Sequence, residues 1–282
     1  MSLKKINLHD GITCLVPDTK EDNVSPTFKV PDELDDVKGY YEENGYVIIN
    51  GCLSKEDCDQ FTRVWQNKIK PFKGYLTRQS SNVPQKNIFN KKGWVMNSLQ
   101  NIQNLSIKKL PELRNLYDLY VADNPVLAKT FNQLLNTKRS RIVQSMYFEG
   151  NTETEAHQDS YYLDDEEIGK MAACWIALED IEWNSGRFYI CPGSHKTDKS
   201  NVSKINSLFF EENYIENTYE LIKSKKYEVR APYLNKGDIL IWNSLTIHGS
   251  LPDIKPSSSR SSITSHYTTA NSKFRTYRYK LT

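Results

Sequence analysis

His157-Gln158-Asp159 places an imidazole and a carboxylate two residues apart. On an extended segment, residues i and i+2 project to the same side, so the two can reach one metal ion. A second imidazole from a distant strand would complete two histidines and one carboxylate on one face of that ion. This is the facial arrangement of non-haem Fe(II) oxygenases, which keep open positions for O₂ and a co-substrate. His248, 91 residues after His157, suits the second imidazole. It follows an apolar run, Ile239-Leu240-Ile241-Trp242, and a turn at Asn243-Ser244. Arg260 comes twelve residues later, and a guanidinium beside the metal could hold the far end of a dicarboxylate bidentately. His-x-Asp alone is a weak signal in a chain with five histidines, and an acidic surface turn through Glu153, Glu155 and Asp159 would also produce it.

The elements that must carry these residues are readable from periodicity. From about residue 141 the texture is short strands: Ile142–Glu149, Met171–Leu178, Arg187–Cys191, Tyr227–Ala231, Asp238–Trp242 and Ser261–Thr268. A polar helix near 206–223 interrupts them. Irregularly spaced strands with turns between predict an antiparallel sandwich or jelly roll. Before them, Pro31–Asn44 has helical spacing, Tyr46–Ile49 reads as a strand, and Ser54 with Asp57 resembles a capping box. Cys58, Phe61, Trp65 and Ile69 continue a helical stripe, and helices are expected around 111–120 and from Asn124-Pro125. One domain over 1–282 is expected, α+β but mainly β. Its parts are a polar arm over 1–30 on the surface, a helical layer and long loop over 31–140, a jelly-roll core over 141–270 and a basic tail over 271–282.

Several motifs taken together resemble one family. They are His157-Gln158-Asp159, Trp175, Asn184-Ser185-Gly186, Cys191-Pro192-Gly193-Ser194-His195-Lys196, Ile247-His248-Gly249-Ser250 and Arg260, in that order. The set resembles the phytanoyl-CoA dioxygenase family over about residues 32–270, and Tyr41 to Val47 and Leu53-Ser54 look like its opening segment. The resemblance implies a double-stranded β-helix (cupin-like) fold and Fe(II), 2-oxoglutarate and O₂ as metal and co-substrates. It implies iron binding by His157, Asp159 and His248, and an anchor for the distal carboxylate in Arg260 helped by Ser250. Gln158 and Trp175 match positions lining the co-substrate pocket, and Gln144 is a further candidate by alternation with Met146 and Phe148. His195 reads as structural, His266 as packed or beside the ligands, and His9 as a surface residue. In halogenating relatives Gly or Ala replaces the carboxylate, so Asp159 points to a hydroxylase with succinate and CO₂ as co-products. Desaturation or ring formation would use the same ligands.

Composition bounds the remaining choices. The chain has 282 residues, 38% hydrophobic and 11% aromatic, and a net charge of +2, which calls for neither nucleic acid nor a membrane surface. The opening residues lack the apolar stretch of a secretory signal, and five scattered cysteines without C-x-x-C spacing suit free thiols in a reducing cytoplasm. Charge is unevenly spread: residues 61–115 hold 11 Lys/Arg against one acidic residue. Solvated lysines explain this most simply. The sharper reading has Arg78, Lys86, Lys91 and Lys92 covering the site and Arg187, on a strand with Tyr189 and Cys191, reaching a small anionic substrate. The competing class is a jelly-roll metal protein that is no oxygenase, such as a cupin-type isomerase or a binding module. Arg260 and Ser250 argue against it, and the oligomeric state is left open.

Overall fold

The computed structural model describes residues 3–9, 11–81, 83–150, 153–197, 213–254 and 259–276. It opens on a hairpin, β1 (Leu3–His9) against β2 (Ile12–Pro17), with Ile12, Cys14 and Val16 buried on one side. This corrects the expected polar arm over 1–30. The period-two alternation of apolar residues here outweighs the segment's average polarity. After β3 (Thr27–Phe28) comes α1 (Leu34–Asn44), which buries Leu34, Val37 and Tyr41 as its spacing predicts, then β4 (Tyr46–Ile49). Helix α2 (Lys55–Val64) starts at Ser54, whose hydroxyl accepts from the Asp57 N–H while the Asp57 carboxylate accepts from the Ser54 N–H. Its stripe runs on through a π-helical turn that buries Trp65 and Ile69.

The long connection that follows contains three two-residue strands, β5 (Leu76–Thr77), β6 (Pro84–Gln85) and β7 (Leu99–Gln100). Two more helices complete the layer, α3 (Pro111–Tyr117) and α4 (Pro125–Leu134). The side-chain oxygen of Asn124 caps α4 by accepting from the Val126 and Leu127 N–H groups.

The strands of the second half are β8 (Ser140–Phe148), β9 (Thr154–His157), β10 (Leu163–Asp165), β11 (Ala172–Ala177) and β12 (Phe188–Ile190). Helix α5 (Tyr214–Lys225) interrupts them; the earlier part of the expected polar helix lies outside the described residues. Then come β13 (Val229–Arg230), β14 (Ile239–Asn243), β15 (His248–Ser250), β16 (Ser262–Thr269) and β17 (Phe274–Thr276). Residues 277–282 of the expected basic tail are likewise outside the described set. Two large sheets form, ordered β3-β4-β14-β11-β16-β8-β7 and β1-β2-β13-β12-β15-β9, beside the two-stranded sheets β5-β6 and β10-β17. Following the chain from β8 to β16 while setting aside β10, each step crosses from one large sheet to the other except β12 to β13, which pair within the smaller of the two; this is the double-stranded β-helix. No helix among the described residues is long and apolar enough to cross a membrane.

Register sorts the larger sheet into two faces. Gln144, His266, Ala173, Trp242 and Tyr46 are consecutive cross-strand partners, forming one row. Met146, Thr264, Trp175, Leu240 and Ile48 form the row two residues along, so both rows project to the same side. That side packs against Phe188 and Ile190 of the smaller sheet. The other side carries Val47, Ile49, Cys174, Ile176, Ile241 and Ile263 and packs under Phe61, Trp65, Leu113, Tyr117 and Phe131 of the helical layer.

Candidate metal centre

His157 is the last residue of β9, Asp159 opens the 3₁₀ turn that follows, and His248 is the first residue of β15. His157 and His248 are direct cross-strand partners, with ring centroids 4.3 Å apart. One ligand atom from each of the three residues lies within 4.8 Å of the others. The Nε2 atoms of His157 and His248 are 3.8 and 3.5 Å from Asp159 Oδ1. Each histidine points its other nitrogen at a carbonyl two residues upstream, His157 Nδ1 at Glu155 over 2.8 Å and His248 Nδ1 at Thr246 over 2.9 Å. An Nδ1–H held this way leaves the Nε2 lone pair facing the cluster, the tautomer a metal needs. Gly249 allows the close approach of the strands: a Cβ there would lie 2.4 Å from Tyr189 Oη and 2.5 Å from the Thr154 carbonyl oxygen.

Electrostatics suit a cation. Burial, with His248 adding to it, pushes the His157 pKa down to about 4, so the ring is neutral near pH 7. Burial alone would raise Asp159, but His248 and His266 outweigh it and hold this carboxyl well below the usual carboxylate range. Trp242 Nε1 donates to Asp159 Oδ2 over 2.8 Å, and His266 Nε2 stands 3.4 Å from the same oxygen. Two imidazoles and an ionised carboxylate form a mixed N/O donor set that fits Fe(II).

Arg260 is buried in the interior. Its Nη1 donates to the Gly186 carbonyl over 2.8 Å, while its Nε has no hydrogen-bond partner. The guanidinium lies 5.8 Å from the Phe148 ring and 5.9 Å from that of Trp175. Trp175 neighbours Phe188 at 6.2 Å, and Phe188 stacks on His248 at 5.2 Å. Aromatic rings thus link the guanidinium to the cluster. Burial lowers the Arg260 pKa to about 10, with Asp253 opposing, so the group stays charged at neutral pH. Ser250 is buried two residues beyond His248, opposite Phe188, on the same side of β15.

The other expected residues divide. Gln144 is half-buried beside His266 on the interior row. Gln158 has local partners: its Nε2 donates to the Leu245 carbonyl over 2.5 Å and its backbone N–H to Tyr214 Oη over 2.8 Å. Arg187 does not reach the cluster. It shares a face with Tyr189 and Cys191, opposite to Phe188, and donates to the carbonyls of Ile181 (2.8 Å) and Pro17 (2.6 Å) under the Tyr233 ring. A side chain 1% exposed on the outer face of β12 cannot contact a substrate held inside, so its expected substrate role is corrected. Arg78, expected in a cover over the site, is also buried, donating to Asn97 O over 2.9 Å and Asn87 Oδ1 over 2.5 Å. His195 Nε2 donates to the Glu42 carbonyl over 3.0 Å, a contact that suits a structural role. Sequence reasoning missed Trp242. Its alternation with Leu240 on β14 was the available signal, whereas nothing local marked Tyr214.

Comparison with known proteins agrees with this geometry. Residues 41–261 match the family model described as phytanoyl-CoA dioxygenase (PhyH), and the chain belongs to that family. The peroxisomal phytanoyl-CoA dioxygenase of Bos taurus is 23% identical over 82% of this chain and 67% of its own length. Among solved structures, the α-ketoglutarate-dependent carbocyclase SnoK from nogalamycin biosynthesis is similar with a TM-score of 0.60 and 18% identity, covering 85% of each chain. The epimerase SnoN, in complex with Fe³⁺, α-ketoglutarate and nogalamycin RO, has a TM-score of 0.62 and 17% identity over 87% of each chain. At these identities the two structures are similar in fold.

Proposed function

We propose that this family member is an Fe(II)- and 2-oxoglutarate-dependent oxygenase that hydroxylates a C–H bond of a small metabolite. The observation that carries the reading is the convergence of His157 Nε2, Asp159 Oδ1 and His248 Nε2 between the two sheets. These three residues would hold the iron, which when bound supplies the O₂ chemistry that no side chain can. Arg260 would hold the distal carboxylate of 2-oxoglutarate through a guanidinium whose Nε is otherwise idle, and Ser250, opposite Phe188, would assist it. Trp175 and Phe188, whose rings run from the anchor toward the cluster, would line the co-substrate site with apolar surface.

Family membership and the buried Arg260 favour this over a cupin-type isomerase or binding module, which has no use for a buried cationic anchor. Asp159 fills the position a halide would need, which favours oxygen transfer over halogenation. An anionic substrate is no longer part of the reading, because Arg187 and Arg78 face other parts of the protein. Four buried free cysteines and one half-buried suit a reducing compartment, and the cytoplasm is the location the reading assigns. The test is succinate release from 2-oxoglutarate across a metabolite panel, with mass spectrometry of the products. Iron-dependent succinate and a product heavier by one oxygen support hydroxylation. A product lighter by two hydrogens replaces it with desaturation or ring closure, and no iron-dependent succinate ends the oxygenase reading.

A further inference from the structure

The two oxygens of Asp159 have different surroundings. Oδ1 faces the Nε2 atoms of His157 and His248, the two candidate ligand nitrogens. Oδ2 faces away from them. It accepts a 2.8 Å hydrogen bond from Trp242 Nε1 and lies 3.4 Å from His266 Nε2. Trp242 and His266 belong to one cross-strand row of the larger sheet, separated only by Ala173 of β11. All three residues are buried, and the rings of Trp242 and His266 meet nearly edge-on at 6.2 Å between centroids. His266 Nδ1 has no hydrogen-bond partner, so no competing contact draws the ring proton away from Nε2. Indole N–H is a donor only. Oδ2 therefore sits against one fixed donor and one available donor, both mounted on a rigid sheet.

We infer that Trp242 and His266 are positioning residues that hold Asp159 Oδ2 and restrict the carboxylate to one-oxygen binding of the metal through Oδ1. The inference rests on the proposed iron site and specifies how that site keeps its vacancies. A carboxylate free to turn could offer both oxygens to the ion. Held at Oδ2, it offers one, and with two imidazoles that leaves the three open positions a keto acid and O₂ require. The partners of ligands fix both ligand orientation and metal affinity.

Metal binding can be read without turnover. Metal-free protein is titrated with Co(II), whose visible absorption reports coordination number and geometry. Trp242→Phe keeps a ring and removes the donor; it is expected to weaken Co(II) binding by about 10- to 100-fold, the usual range for such partners. Its Co(II) spectrum is expected to change as Oδ2 joins the coordination. His266→Leu should act in the same direction, whereas His266→Gln, which retains a donor, should restore much of the affinity. Circular dichroism melts establish that each variant is folded, and either donor-removing variant decides the matter if the other does not fold. Wild-type affinity and an unchanged spectrum in a folded Trp242→Phe or His266→Leu protein would overturn the clamp. Asp159→Ala separates the two levels: if it still binds Co(II) as wild type does, the iron site itself is wrong. If Asp159→Ala abolishes binding while the donor variants are silent, only the clamp fails.

Discussion

The backbone N–H of Arg260 donates to the carbonyl of Glu149 over 2.8 Å, tying the proposed carboxylate anchor to a residue whose side chain belongs to the helical layer. The Glu149 carboxylate is buried. It accepts from Gln66 Nε2 (2.7 Å) and Lys70 Nζ (2.8 Å) at one oxygen and from the Val95 N–H (2.7 Å) at the other. One residue thereby joins the π-helical turn, the long connection and the segment leading into β16.

Removing that junction should loosen all three. Glu149→Ala leaves the Lys70 ammonium and the Val95 N–H without their acceptor, and a broken buried pair costs about 3 kcal/mol. Lys70→Ala leaves the Glu149 carboxylate its Gln66 and Val95 donors, so it should be milder. Urea unfolding of the two variants checks the order; equal losses, or a loss under about 0.5 kcal/mol for Glu149→Ala, would contradict the junction.

Loss of any candidate metal ligand should abolish the same activity. His157→Ala, Asp159→Ala and His248→Ala are each expected to end iron-dependent succinate release. A double variant should be no worse than either single, because residues acting as a unit do not add. Full activity in His248→Ala would move the second imidazole elsewhere, and His266 would be the first place to look.

The anchor is tested by substitution at one position. Arg260→Ala should raise the KM for 2-oxoglutarate, since a charge-assisted bidentate pair is about twice as strong as a neutral hydrogen bond. Arg260→Lys should recover part of the loss, an ammonium lacking the planar fork. Titration showing wild-type affinity for 2-oxoglutarate in Arg260→Ala would remove Arg260 from the site.

The metal cluster was legible because its information is local: two ligands sit in one tripeptide and the third in a short motif after an apolar strand. Arg260 was singled out by its distance to that motif, and the structure buries it near Trp175 and Phe148. Face assignment was not legible. Arg187 does alternate with Tyr189 and Cys191, but alternation alone leaves open which side of β12 faces inward. The packing of Phe188 and Ile190 against Trp175 and Trp242 settles that, through contacts distant in sequence. Strands as short as β9 and β15 carry too few residues for a pattern, and pairing with each other defines them. The first hairpin was hidden by Lys4, Lys5 and Asn7, although its apolar residues alternate. Arg78 shows why a charge count misleads: a guanidinium with three internal acceptors contributes to the sum and nothing to the surface.

Asp164 should give stability an acid-favouring component. It is buried, and burial pushes its pKa up to about 7 despite N–H donors from Asp165 and Gly169 and the Ser244 hydroxyl. A carboxyl whose folded pKa is raised binds its proton more tightly in the folded state, so its contribution is full below about 4 and is lost as pH rises toward 7. His157, lowered to about 4, acts in the opposite sense over much of the same range, so total stability is the wrong readout. The difference in Tm between metal-free wild type and Asp164→Asn should shift against wild type from about pH 4 to 7. A difference independent of pH would show that Asp164 titrates normally.

Arg187 should behave as part of the protein's interior. Its guanidinium bridges the Ile181 carbonyl beside β12 and the Pro17 carbonyl at the end of β2, beneath Tyr233. Arg187→Ala removes donors from two buried carbonyls, each left unsatisfied at a cost of about 1–3 kcal/mol. It also deletes packing at the joint between the first hairpin and the jelly roll. Arg187→Met restores the aliphatic volume without the donors, so it should recover part of the lost stability and no more. Both variants, assayed at a temperature where they remain folded, should keep the wild-type KM for 2-oxoglutarate and for substrate, because β12 presents Phe188 to the site and Arg187 to the opposite side. Chemical denaturation beside steady-state kinetics gives both readings from one preparation. A folded Arg187→Met protein with wild-type stability and a raised substrate KM would reverse the assignment and return Arg187 to the substrate.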